Sequence, residues 1–433
     1  MTAREAALRT LVACEKQDAW SDNFLKKTLK EGGLDGRDAA LATRLTFGVT
    51  QNRMLLDWYV DQFAKGKLDL TVRNALRLGA YQLLFLTRVP ARAAVDESVK
   101  LTRKFCKNPG AAGLVNAVLR NIERNKSDLT PPEDLSVRYS HPQWLVDLFV
   151  ERLGAEATEQ LLACHNGEVP TMAQVNTCHS STDQVLTALM EAGVEAQLHP
   201  WLTDCLSLQG TGSLEQMEEF QQGAFYIQDA AARLAVLAAA PEPGMKVLDV
   251  CAAPGGKSFA AAITMKDEGE IISCDIHPHK QTLIENGAKR LGLNSIRAVT
   301  QNGKERVAEW ENAFDVVITD VPCSGLGIIR KKPDIRYKDP KPLSGLPVIQ
   351  KAILDNACTY VKPGGVLLYS TCTLLERENE DIVRKFVEEH DQFVLEKVEL
   401  PGPVGVVEEG YVTFWPHLHG TDGFFIAKLR RKA

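Results

Sequence analysis

At 433 residues the chain is too long for one typical domain and calls for two or three. Its 45% hydrophobic and 24% charged residues are those of a soluble globular protein with ample core, and no apolar run is long enough to span a bilayer. The net charge of −6 hides an asymmetry: residues 1–130 carry 22 Lys/Arg against 14 Asp/Glu, whereas the remainder carries 28 against 42. A basic front on an acidic protein suits a polyanion such as RNA, and equally a set of solvated helix faces. The start, Met1-Thr2-Ala3-Arg4-Glu5, lacks the apolar core of a secretion signal, and the ten cysteines are scattered without CxxC pairs. A reduced, cytoplasmic setting is expected rather than a disulfide scaffold.

Residues 2–126 read as helices. Ala6, Leu8, Leu11 and Val12 form one apolar stripe, and Leu41, Leu45 and Val49 begin another that continues through Met54, Leu55 and Trp58. Further helical runs cover 71–86, 91–105 and 113–122, with glycines and prolines mostly between them. An all-α domain over 1–128 is expected. The Thr130-Pro131-Pro132-Glu133-Asp134 stretch reads as a linker, and a helix follows from Tyr139-Ser140-His141-Pro142 to about Leu162. Alternation over 172–177 and 194–198 predicts strands around a helix at 181–192, and Asp229 opens an alanine-rich helix. These make a small α/β subdomain over 129–235.

From 236 to 433 the rhythm is strand, helix, strand. Seven strands are predicted at 246–251, 270–276, 296–301, 314–320, 365–371, 393–398 and 424–429. Helices lie between the early ones, which argues for a mostly parallel sheet covered on both faces.

The first strand ends in Cys251-Ala252-Ala253-Pro254-Gly255-Gly256-Lys257-Ser258. A glycine turn between strand and helix offers backbone N–H groups and the positive end of a helix to a ligand. Asp275 ends the second strand, 19 positions past Gly256, where an acid commonly takes ribose hydroxyls. The turn is not G-x-G-x-x-G, so a nicotinamide-dependent oxidoreductase is poorly supported. Two cysteines, Cys323 after Asp320-Val321-Pro322 and Cys372 after Ser370-Thr371, follow apolar strands at breaks in their pattern. If those strands are neighbours, both thiols stand at the carboxyl edge of the sheet, where open α/β folds bind ligands. The loop 330–336, Arg-Lys-Lys-Pro-Asp-Ile-Arg, suits phosphate contacts or simply water. His277, His279, His417 and His419 form no consistent ligand set, and no metal is expected.

The runs Val89-Pro90, Ala93-Ala94-Val95-Asp96-Glu97-Ser98-Val99 and Gly113-Leu114-Val115-Asn116-Ala117-Val118-Leu119-Arg120 resemble the NusB-like RNA-binding domain. Taken alone they would equally suit a non-catalytic antitermination protein. The Ala-Ala-Pro-Gly-Gly-Lys turn closely resembles that of the RNA cytosine-C5 methyltransferases, and the whole chain is similar to the 16S ribosomal RNA branch of that family, the RsmB/Sun (Fmu) type. A transfer RNA cytosine methyltransferase shares the same motifs. The resemblance implies an all-α NusB-like domain, a small RNA-contacting α/β subdomain and a Rossmann-like class I methyltransferase domain with a mostly parallel seven-stranded sheet. It also implies S-adenosyl-L-methionine as cofactor and 16S ribosomal RNA as partner. By that likeness Cys251, Ala252, Ala253, Pro254, Gly255, Gly256 and Lys257 surround the methionine end of the cofactor. Asp275 takes its ribose, Asp320 faces the same crevice, and Asn302 approaches the adenine where the family usually has Asp. Cys372 is implied as nucleophile and Cys323 as the thiol assisting product release, whereas DNA cytosine methyltransferases attack with the Pro-Cys thiol. Asp320 is implied to meet the cytosine N3/N4 edge, with Lys257 paired to it.

Overall fold

The computed structural model describes residues 1–212 and 214–433. The helical periodicity of the front folds as α1 (Ala3–Gln17), α2 (Ser21–Gly32), α3 (Gly36–Gln51), α4 (Arg53–Asp61), α5 (Leu70–Phe85), α6 (Ala91–Phe105) and α7 (Ala111–Arg124). The predicted stripes face inward except at Trp58, which is exposed: Leu8, Leu11, Leu45, Val49, Leu76 and Leu119 share one core, each buried side chain contributing about 1.5–3 kcal/mol. Thr2 caps α1 by accepting the Glu5 N–H, and Asp69 caps α5 by accepting that of Thr71. The single helix expected after Pro142 is two, Gln143–Leu153 and Ala155–His165. Gly154 breaks it, with φ +79° and ψ 168°.

Two compact units are present. One joins Met1–Gly167 to the ten-residue segment Ile329–Lys338, and the other holds Glu168–Ile328 and Asp339–Ala433. Within the first unit Arg336 is wholly buried. Its Nη1 lies 2.9 Å from Asn166 Oδ1 and 3.2–3.3 Å from the carbonyl oxygens of Gln51, Tyr139 and Ser140. Tyr337 O–H also donates to Ser140 O, at 3.0 Å, and Ser21 N–H donates to Asp334 Oδ2, at 2.8 Å. Burial lowers Arg336 to about 10, which leaves it charged at neutral pH. Arg336 is therefore spent on the helical unit and faces neither phosphate nor water, the two readings the sequence leaves open for loop 330–336.

In the second unit, β1 (Thr171–Val175), β2 (Glu195–Leu198), β3 (Cys205–Gln209) and β4 (Phe225–Ile227) form an antiparallel sheet in the order β2-β3-β1-β4. The helix Thr182–Glu191 covers it, packing Val185 and Leu189 on Val175, Leu206 and Phe225. Its start carries a capping box between Ser181 and Gln184. β4, of three residues, is too short to show as alternation in the sequence, and β3, buried at Cys205, Leu206 and Leu208, does not alternate strictly.

The large sheet contains β5 (Lys246–Asp249), β6 (Glu270–Asp275), β7 (Ile296–Thr300), β8 (Phe314–Asp320), β9 (Val361–Thr371) and β10 (Phe393–Leu395), and, beyond the short pair β11 (Val398–Leu400) and β12 (Gly405–Val407), β13 (Tyr411–Phe414) and β14 (Phe424–Arg431). Its path is β10-β14-β9-β8-β5-β6-β7, with β13 also on β14. The five strands β9-β8-β5-β6-β7 are parallel, while β14 runs antiparallel to β9, β10 and β13. Among the described residues the sheet thus has eight strands, not seven. The added one, β13, is a half-buried edge strand without the apolar run that marks a central strand. Because β6 and β8 flank β5, chain order reverses between β5 and β8. That reversal opens a crevice at their carboxyl ends.

Candidate active site

The crevice is built from turns that follow β5, β6, β8 and β9. After β5, Ala252 N–H bonds Cys274 O at 2.7 Å, tying the turn to the neighbouring strand. Gly255 sits at φ +113°, open essentially to glycine alone, and an added Cβ would stand 2.4 Å from the Phe259 ring. At Gly256 it would stand 2.7 Å from Gln228 Nε2. The helix Gly256–Thr264 begins here without a side-chain cap, so its first N–H groups face the crevice unclaimed by a side chain.

Asp249, wholly buried at the end of β5, accepts Ser258 Oγ–H at 2.8 Å, and Ser258 accepts Ser273 Oγ–H at 2.7 Å. Its other carboxyl oxygen has no hydrogen-bond partner, and burial pushes the group from 3.8 up to about 7. Across that range the folded protein keeps a proton that the unfolded chain has lost. Its contribution to stability is therefore fully present at low pH and falls as pH rises from about 4 to about 7, by an amount on the order of a few kcal/mol. Asp249→Asn should flatten that part of the melting-temperature-against-pH curve. Parallel curves for the two proteins would mean that the carboxyl is ionised in the fold.

Asp275 is buried at the end of β6; its carboxylate accepts His277 N–H at 3.0 Å and lies 3.4 Å from Lys280 Nζ. Asn302 follows β7. Its amide is spent locally, donating to Glu305 Oε1 at 2.8 Å and accepting Lys304 N–H at 3.2 Å. The adjoining Gly303 lies against the β5 turn, since a Cβ there would stand 2.8 Å from Val250 Cγ1.

At the centre, Lys257 Nζ lies 2.6 Å from Asp320 Oδ2, and Ser370 Oγ–H donates to Asp320 Oδ1 at 2.9 Å. Lys257 also stands 5.1 Å over the Phe424 ring. Burial alone would lower the lysine, but the Asp320 carboxylate more than offsets it and holds the ammonium above its ordinary value. β8 and β9 are parallel neighbours with Asp320 opposite Ser370. Cys323 and Cys372, three and two residues further on, bring their sulfurs to 3.3 Å. The hydrogen bond to Cys372, and then burial, pushes the Cys323 thiol well above its ordinary range. By contrast Cys205 and Cys274 are pushed up to about 12 by burial away from this pair, as packing groups.

The loops bearing the two thiols touch closely. Gly327 N–H donates to Cys372 O at 2.9 Å, Gly423 N–H donates to Gly327 O at 2.8 Å, and a Cβ on Gly327 would stand 1.8 Å from Gly423 O. Gly423 is a close-approach glycine as well, since a Cβ there would stand 2.7 Å from Gly327 Cα. The sequence reading also missed Ser370, Phe424, Glu378 and Asn379. Ser370 had a signal, as a polar residue closing the apolar run Val366-Leu367-Leu368-Tyr369; the others had none.

The donor set fits S-adenosylmethionine: uncapped N–H groups for its carboxylate, and a buried acid on the adjacent strand for its hydroxyls. Among the described residues no group of three His, Cys, Asp or Glu could hold a metal ion, and no helix is long and apolar enough to cross a membrane.

Residues 236–430 match the family described as 16S rRNA methyltransferase RsmB/F, residues 1–124 the NusB family, and residues 141–215 the ferredoxin-like domain of RsmF/B-like methyltransferases. The chain is 36% identical to the probable ribosomal RNA small subunit methyltransferase B of Bacillus subtilis, over 100% of this chain and 99% of that protein. It is 32% identical to the ribosomal RNA small subunit methyltransferase B of Erwinia tasmaniensis, over 98% and 97%. A solved structure, a methyltransferase homolog protein from Pyrococcus horikoshii, superposes with a TM-score of 0.60 at 26% identity, covering 70% of this chain and 100% of that one.

Proposed function

The chain belongs to the RsmB/F family of 16S ribosomal RNA methyltransferases, and on that premise we propose that it methylates C5 of a cytosine in 16S RNA through a covalent adduct between Cys372 and C6. The observation that carries this reading is the pair of sulfurs 3.3 Å apart at the ends of adjacent strands. S-adenosylmethionine, when bound, supplies an electrophilic methyl group.

Cytosine C5 is a weak nucleophile while the ring is aromatic. Addition of the Cys372 thiolate to C6 makes C5 enamine-like, and a thiol suits this because it attacks near neutral pH and later leaves readily. Asp320 meets the N3/N4 edge of the base. Lys257, 2.6 Å behind Asp320, offsets the negative charge that develops on the ring as the thiolate adds. Loss of the C5 proton to a base returns its electron pair to the C5–C6 bond and expels the Cys372 sulfur from C6 as thiolate, a departure that Cys323 assists from beside it. The turn from Cys251 to Lys257 would hold the methionine end of the cofactor and Asp275 its ribose, and Asn302 would meet the adenine only after its amide exchanges its partner Glu305. The target base must be flipped out or unpaired to enter.

Incubating the protein with total RNA lacking this modification and methyl-labelled cofactor should place label on 5-methylcytosine in 16S RNA at a single position. Label confined to transfer RNA would overturn the substrate, and label on any other base would overturn the chemistry.

A further inference from the structure

After Cys372 the chain runs Thr373-Leu374-Leu375-Glu376-Arg377-Glu378-Asn379 before the helix Glu380–Glu389. Charged and amide residues at a helix start ordinarily face water, yet Glu378 and Asn379 are both fully buried. Buried polar groups persist where their hydrogen bonds are made. Glu378 Oε2 accepts two: the N–H of Ser324, next after Cys323, at 2.9 Å, and Gln350 Nε2–H at 2.9 Å. The same Gln350 amide reaches the carbonyl of Pro322, just before Cys323, at 3.0 Å. Asn379 treats the other thiol in the same way. Its Oδ1 accepts the hydroxyl of Thr371, just before Cys372, at 2.6 Å, and its Nδ2 donates to the carbonyl of Thr373, just after it, at 3.0 Å. The two loops are also joined directly, with Ser324 Oγ and Thr373 Oγ1 2.6 Å apart. Tyr369 O–H anchors the dipeptide to β9 through the Glu378 carbonyl, at 2.5 Å.

We infer that Glu378 and Asn379 are positioning residues that set the spacing of the two catalytic thiols. Adjacent in sequence, they hold both loops: Glu378 binds the backbone after Cys323 directly and that before it through Gln350, while Asn379 binds the Thr371 hydroxyl before Cys372 and the backbone after it, so neither loop can shift without the other. The inference rests on the proposed reaction, in which both sulfurs serve one cycle. The Glu378 carboxylate adds to the forces that keep the proton on Cys323, after its Cys372 hydrogen bond and burial.

Thr371→Val deletes the hydroxyl that Asn379 holds, Thr371→Ser keeps it, and Glu378→Gln keeps the shape of the side chain while removing its charge. Two readouts separate positioning from chemistry: steady-state methylation, and closure of a Cys323–Cys372 disulfide by diamide. In the latter the two thiols lose two hydrogens to the reagent, and the linked peptides are found by mass. Wild type and Thr371→Ser should close the bond rapidly. Thr371→Val should close it about tenfold more slowly and lose about 10²-fold in kcat with KM for RNA changed less than about twofold, the scale of a small misplacement at a reacting centre. Glu378→Gln should shift alkylation of Cys323 to lower pH. Closure at the wild-type rate in Thr371→Val overturns the inference. Slowed closure in that variant, with no methylation of RNA by any of the proteins, would leave the spacing role standing and sink the proposed reaction instead.

Discussion

Cys372→Ala protein is expected to bind cofactor and RNA and to transfer no methyl group, with turnover down by at least about 10⁴-fold, the scale of losing a nucleophile from a catalytic constellation. In the proposed reaction no other step activates C5: without sulfur on C6 the ring stays aromatic and the methyl group meets no carbanion equivalent. The nearest substitute is Cys323, 3.3 Å from the missing sulfur. Its thiol is held in the protonated form by the Cys372 hydrogen bond and by burial, and a protonated thiol is a poor nucleophile. Burial remains when Cys372 is removed. Single-turnover transfer of labelled methyl to 16S RNA measures the effect. Turnover above about a hundredth of wild type would move the attacking role to Cys323, since loss of the true nucleophile leaves far less.

The second large effect has the opposite sign on the adduct. In the proposed cycle Cys323→Ala keeps the attacking thiol and removes the group beside the departing one, so the RNA–protein complex should accumulate as a denaturant-resistant band carrying labelled methyl. Release should slow by about 10²- to 10⁴-fold, the usual contribution of a positioned proton-transfer group. The double substitution of Cys323 and Cys372 by alanine should show no band. A Cys323→Ala protein that turns over at the wild-type rate with no band would remove Cys323 from the cycle.

Features that announce themselves in one dimension were legible beforehand. The β5 turn, Asp275, Asp320, Cys323 and Cys372 each end an apolar strand with an abrupt change of residue type, and the strand-end position alone brings them to one edge of the sheet. The inward stripes of the helical front were readable for the same reason. What stayed hidden depends on pairing across the fold. In Glu376-Arg377-Glu378-Asn379-Glu380 two residues are fully buried and Arg377 is not; charge pattern cannot tell them apart, because the burial of Glu378 is set by the Ser324 N–H that meets it. Arg336 misled likewise. It sits in a basic run, and only the carbonyl oxygens of Gln51, Tyr139 and Ser140 show why it turns inward. β13 was missed because edge strands need not be apolar.

The ten residues Ile329–Lys338 have a practical bearing on taking the protein apart. They fold with the first 167 residues yet are encoded within the catalytic half. A fragment ending anywhere before Ile329 leaves the Gln51, Tyr139 and Ser140 carbonyls without the guanidinium that binds them. Tyr139 O keeps its Asn166 Nδ2 partner, but each buried group left without any partner costs about 1–3 kcal/mol. Such a fragment should be recovered poorly alone and rescued by the decapeptide supplied as a separate molecule. A chimera that exchanges the helical front with a relative must likewise carry this segment from the same parent, although it lies more than 160 residues downstream of Gly167. The two halves of the chain are therefore not independent cassettes, and changes at Asn166, whose side-chain oxygen accepts from Arg336, are expected to be tolerated only with matching changes around Arg336.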